Sequence, residues 1–213
     1  MADVDFIMAM SCAPPALLGL YRYKRVEPAF HPFILTLVFS LFTELAIKVM
    51  KERENYTLYF PLANFYILVN VLLFYFFFWK VKVITPLYKR AFIFGFILCS
   101  VAGGFVNNPL RAFPYYTAVL FSVYILAVAV KLLSMQVFET RVHILRNPLF
   151  YIAAGALLFY AMSIFSTLLG IAVTGNANLD WYVYVAEKIV NVFHYLLFLL
   201  AVLWIPRKKL QYG

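Results

Sequence analysis

Apolar residues come in seven long runs along this chain, separated by short polar or charged segments. The runs cover about 6–20, 32–49, 58–78, 91–106, 115–137, 148–173 and 181–204. A helix rises about 1.5 Å per residue and the hydrocarbon core of a bilayer is about 30 Å thick, so a run of about twenty residues crosses it. Each run is therefore predicted to be a transmembrane helix, the first being short enough to read also as a re-entrant or interfacial segment. The first is the shortest and carries Pro14 and Pro15, which are expected to kink it. Between runs, Lys48–Asn55 reads as a charged turn, Lys80–Arg90 as a basic loop, and Asn107–Pro114 and Thr174–Asp180 as turns by composition.

Composition turns this pattern into a class. The 213 residues are 65% hydrophobic and 13% charged, whereas a soluble domain is nearer half apolar and a quarter charged. The expected fold is all-α: a polytopic membrane protein, a seven-transmembrane-helix bundle forming one domain over residues 1–213. The acidic start, Met1 to Phe6, lacks the basic segment of a secretory signal, so no cleaved peptide is expected. The formal charge of +9 raises nucleic acid as a partner. The basic residues fall between apolar runs, however, and no phosphate loop or RNA-binding signature exists, so none is expected.

Those basic residues predict orientation instead. Arg22, Lys24, Arg25, Lys80, Lys82, Lys89, Arg90, Arg141, Arg146, Arg207, Lys208 and Lys209 lie in alternate segments on one side. Only Lys48, Lys51, Arg53 and Arg111 lie on the other. The N-terminus is expected outside and the C-terminus in the cytoplasm of a bacterial inner membrane. Lys131, near the inner end of its run, would snorkel.

Polar residues inside the runs then acquire a depth. An ionisable group at mid-membrane costs at least about 2.5–3.5 kcal/mol, so it should face other helices or a wet cavity. In the last run Glu187, Asn191 and His194 recur at helical spacing on one face, with Lys188 beside them. Glu44, Asn64 and Asn70 reach similar depths in runs two and three. These seven, Glu44, Asn64, Asn70, Glu187, Lys188, Asn191 and His194, are expected to line an outward-facing polar pocket. The plainer alternative pairs Glu44 with Lys48 one turn away and uses the asparagines as interhelical glue.

Other chemistries find little footing. His31, His143 and His194 are scattered and no paired-cysteine motif occurs, so no metal site or other cofactor is expected. Cys12 and Cys99 read as small buried hydrophobes. Lys188 lies too near its helix end for a retinal Schiff base, and run three offers no carboxylate partner. Ser163, Ser166 and Thr167 would need His194 as a base for acyl transfer, but no nucleophile motif surrounds them.

Two loops read alike: Arg25 to Phe33 and Arg141 to Leu149 share internal spacing and lead into apolar runs. Runs three and seven both carry Asn, then aromatics, then a terminal Trp. This suggests a repeat of three, one and three helices, over 6–79 and 115–206, as in some small-solute carriers.

Further residues carry a family resemblance. Thr43-Glu44 closes run two, Asn55 and Tyr66 lead through run three, an unbroken segment runs from Asn147-Pro148 to Tyr160, and a polar-spotted last run ends in a basic tail. In these the chain resembles uncharacterised seven-helix membrane proteins of the Bacteroidota, often encoded near sensor histidine kinases. It departs from them in having Asn70 where an acidic residue would stand. The resemblance implies a sensor kinase as partner and carries no activity with it. The leading functional expectation is binding of a small molecule or lipid in a sensory or accessory role. A small-solute transporter and a lipid-modifying enzyme stand as alternatives.

Overall fold

The computed structural model describes residues 10–52, 56–95, 115–138, 144–172 and 177–206. These form α1 (Ala13–Arg22), α2 (His31–Glu52), α3 (Tyr56–Lys80), helical residues 86–95 as the start of α4, α5 (Tyr115–Phe138), α6 (Pro148–Ala172) and α7 (Ala177–Trp204). No β-strand occurs among the described residues. Helices α2, α3, α5, α6 and α7 are each long and apolar enough to cross a membrane. The described residues are all-helical apart from their connections, and these long apolar helices mark a multi-pass membrane protein. Several sequence expectations fall outside the described residues: the chain start, Asn55, Cys99, the Asn107–Pro114 turn, His143 and the basic tail at 207–209.

Three boundaries differ from the sequence reading. Residues 10 and 11 are helical and the helix breaks at Cys12, so Pro14 and Pro15 stand in the first turn of a new segment, α1, where their missing N–H groups have no intrahelical partner to lose. The charged segment from Lys48 to Glu52 is helical, because long charged side chains favour helix and extend it past the apolar run. Helix α7 likewise starts at Ala177, inside the expected turn, since Asn and Asp suit a first helical turn as well as a loop.

The helices form a ring. Helix α1 packs between α2 and α7, α2 against α3, α5 against α6 and α6 against α7, while α3 meets α5 over a short length. Start-of-α4 residue Phe92 covers that seam, stacking on Tyr75 at 4.2 Å and lying 5.2 Å from Tyr124. The centre is filled with aromatic rings. Phe33, Phe74, Phe77, Phe78 and Phe198 are fully buried; Phe198 meets Phe33 edge-on at 4.9 Å and Phe74 at 6.3 Å, a geometry aromatic pairs favour.

One end of the bundle is tied by basic and polar side chains. The Arg22 guanidinium donates to the carbonyls of Val202, Leu203 (2.9 Å) and Ile205 (3.1 Å), so α1 and α7 finish together. It supplies donors and positive charge where the last helical carbonyls lack partners. Lys80 Nζ donates to Pro28 O at 3.3 Å. Lys131 does not simply snorkel: Nζ donates to Val83 O at 3.1 Å and lies 5.2 Å from the centre of the Tyr88 ring. Asn147 bonds Gln136 and accepts from the Leu149 N–H at 3.0 Å, capping α6 ahead of its first-position proline. Replacing Arg22 by Met, which keeps much of the packing, is expected to cost about 2–3 kcal/mol. Lys should recover only part of it, lacking the planar fork. Unfolding in detergent checks both.

Helix α3 ends in a Schellman turn. Val83 N–H donates to Phe78 O and Lys82 N–H to Trp79 O, each at 3.1 Å, and Lys82 takes φ 61°. That left-handed conformation normally favours glycine. Lys82→Gly is expected to raise stability by about 0.5–1 kcal/mol, measured the same way.

The two similar loops each wind a single 3-10 turn, Pro28–Phe30 and Ile144–Arg146, just ahead of a proline-initiated helix.

Candidate functional site

The most telling helix is α6. Its small-residue run, Ala153 to Ala156, lets α7 approach closely, as small residues do between membrane helices. A Cβ built on Gly155 would lie 2.8 Å and 3.0 Å from two carbons of the Phe198 ring. This closeness admits His194, whose Nδ1–H donates to the Gly155 carbonyl at 2.8 Å. The imidazole is held between rings, 4.7 Å from Phe159 and 4.0 Å from Phe198. His194 is therefore buried in a packed interface and lines neither cavity described below.

One turn further along α6, Phe159 and Ser163 form a ridge with a cavity on each side. The first, about 240 Å³, lies at the loose α3–α5 seam and against α6. It forms where Ala63 and Ala118 leave space between helices that bulkier side chains would fill. Tyr59, Tyr66, Asn70, Ser122, Tyr160, Ser163 and Thr167 give it polar groups, and Ile47, Ile67, Val71 and Phe121 give it apolar walls. Asn70 is buried, and its Oδ1 is enclosed with no hydrogen-bond partner among the described residues.

Asn70 is also one end of a polar chain through the bundle. Its amide lies against the Tyr66 hydroxyl. That hydroxyl pairs with Ser40 Oγ at 3.2 Å, and the Tyr195 hydroxyl lies against Ser40 from α7. The charge of Glu44, one turn beyond Ser40, acts on Tyr66, Tyr195 and Cys12. Glu44 is half-buried within electrostatic reach of this chain and lies outside the lining of either cavity. Cys12 is buried, as the sequence suggested.

The second cavity, about 200 Å³, lies between α6 and α7. It is lined by Phe159, Met162, Ser163, Glu187, Lys188, Val190 and Asn191. The seven sequence-predicted residues are thus divided. Glu187, Lys188 and Asn191 share one cavity, Asn70 lines the other, Glu44 lies within electrostatic reach of the polar chain, and His194 is packed between helices. Asn64 is half-buried on α3 and lines neither cavity.

Sequence reasoning passed over Ser40, Ser122, Tyr195 and Phe159 and took Tyr66 only from the resemblance. A signal for three of them existed. Ser40 lies one helical turn from Glu44, Tyr66 one turn from Asn70 and Tyr195 one turn from Asn191, so each polar residue has a hydroxyl on its own face.

Two of the three candidate nucleophile hydroxyls are engaged with backbone. Ser166 Oγ and Thr167 Oγ1 donate to Ser163 O at 3.2 Å and 2.7 Å, while His194 holds Gly155. Among the described residues no three His, Cys, Asp or Glu side chains gather as a metal site would require. Compared with family models, curated proteins and solved structures, the chain matches none.

Proposed function

We propose that this protein binds a small, mostly apolar molecule or a lipid fragment in the α3–α5–α6 cavity, with Asn70 as its polar anchor. The observation that carries this reading is the enclosed Asn70 Oδ1 in a cavity with room for a guest. A buried acceptor without a partner costs about 1–3 kcal/mol, so a donor from a ligand would recover what the apoprotein loses. The volume exceeds the ~150 Å³ that admits benzene in an engineered apolar cavity. Apolar walls with few polar groups are the usual make-up of a small-molecule site.

The setting is a seven-span protein of the bacterial inner membrane, its N-terminus outside. Support comes from the end tied by Arg22, Lys80 and Lys131, which the positive-inside rule assigns to the cytoplasm. Tyr59 and Thr167 then lie toward the outside, so the cavity belongs to the outer half. A sensory or accessory role follows, with a sensor kinase as the partner implied by the resemblance.

The test is to purify the protein from its own membranes in mild detergent and identify co-purifying small molecules by mass spectrometry. Ala118→Leu, which fills the cavity, should purify folded and without the guest. A guest retained at equal occupancy in that variant would refute the assignment.

A further inference from the structure

The α6–α7 cleft has a chemistry of its own. Glu187 and Asn191 stand one turn apart on α7, with Ser163 opposite on α6. Glu187 is half-buried and makes no ion pair or hydrogen bond among the described residues. Asn191 Oδ1 is enclosed and likewise has no hydrogen-bond partner among them. Two acceptors, one of them anionic, are thus left open in one small cleft, and a hydroxyl completes a set of three. Lys188 lines the cleft too, but its ammonium lies 4.8 Å from the centre of the Tyr184 ring, one turn back along α7. The remaining walls, Phe159, Met162 and Val190, are apolar.

An enclosed, unpaired acceptor calls for a donor, and a half-buried carboxylate one turn away calls for positive charge. One carboxylate with one amide oxygen would leave most of the six or more oxygens that Ca²⁺ or Mg²⁺ takes to water, in a cleft walled otherwise by Phe159, Met162 and Val190. A primary ammonium carries three N–H donors, matching the carboxylate, the amide oxygen and the hydroxyl. An aromatic wall beside a carboxylate further favours an organic cation.

We propose that the cleft between α6 and α7 binds the primary ammonium group of an organic amine. Glu187, Asn191 and Ser163 accept its N–H groups, and Phe159, Met162 and Val190 hold its hydrocarbon part. This site is separate from the Asn70 cavity and does not depend on that assignment.

The test titrates the full chain in nonionic detergent with butylammonium and phenethylammonium, against butanol and phenethyl alcohol as neutral counterparts and tetramethylammonium as a cation without N–H groups. At least one primary ammonium should saturate a single site, with the neutral and quaternary probes failing to do so. The isosteric change Glu187→Gln should weaken binding by about 10- to 100-fold, with an unchanged melting temperature establishing that the variant is folded. Asn191→Leu should also weaken it, while Asn70→Leu should leave it unaltered, so the two sites fail independently. The proposal is overturned if neither primary ammonium saturates the wild type. Equal binding by Glu187→Gln, or by tetramethylammonium, would overturn it as well.

Discussion

Gly155→Ala is expected to destabilise the protein by about 1–3 kcal/mol, the usual cost of overpacking a filled interior. The added methyl would stand 2.8 Å from the Phe198 ring and 3.5 Å from His194 Nδ1. Neither neighbour has room to withdraw. Phe198 is hemmed in by Phe33 and Phe74, and His194 is stacked against Phe159. The strain would be relieved by moving α7 away from α6, which stretches the hydrogen bond from His194 to Gly155. Thermal unfolding in detergent measures the loss. Phe198→Leu in the same background removes the clashing ring edge, so the double variant should lose less than the sum of the single losses. An unchanged melting temperature for Gly155→Ala would mean that the two helices yield without cost.

Asn70→Leu should act in the opposite direction on stability. Leucine has similar bulk, removes the enclosed Oδ1 and leaves the cavity drier. Removing an unsatisfied acceptor is worth about 1–3 kcal/mol. Lost contact with the Tyr66 hydroxyl takes some of that back, although Ser40 still pairs with Tyr66. The expected net result is a melting temperature equal to or above that of the wild type, together with complete loss of the co-purifying guest. Greater stability with lost binding is the mark of a residue kept for function. If Asn70→Leu instead melted markedly lower, the amide would be interhelical glue and the ligand reading would lose its anchor. Unfolding curves and mass spectra from the same preparations decide between them.

Much of the scaffold was legible because membrane helices declare themselves by length and hydropathy alone. The runs at 115–137 and 148–173 match α5 and α6 to within a residue at each end. Boundaries were misread where helix and turn share a vocabulary: prolines that open a helix, charges that prolong one, and Asn with Asp in a first turn. Depth was partly legible as well. Ser40 with Glu44, and Tyr66 with Asn70, were marked by one-turn spacing within their own helices.

What the amino-acid order determined by itself is the class: an all-helical membrane protein whose polar residues sit at recognisable levels along each helix. Only the tertiary structure decided which levels meet. Helices α3 and α5 differ little in hydrophobicity from one face to another, so no continuous apolar stripe on them says which face packs inward. The division of Asn70 from Glu187 and Asn191 across the Phe159–Ser163 ridge therefore had no signature in the chain. Nor did the burial of His194, which depends on a glycine thirty-nine residues away leaving room for an imidazole. Hydropathy fixes how deep a side chain lies; rotation about the helix axis, set by close packing with neighbours, fixes what it touches.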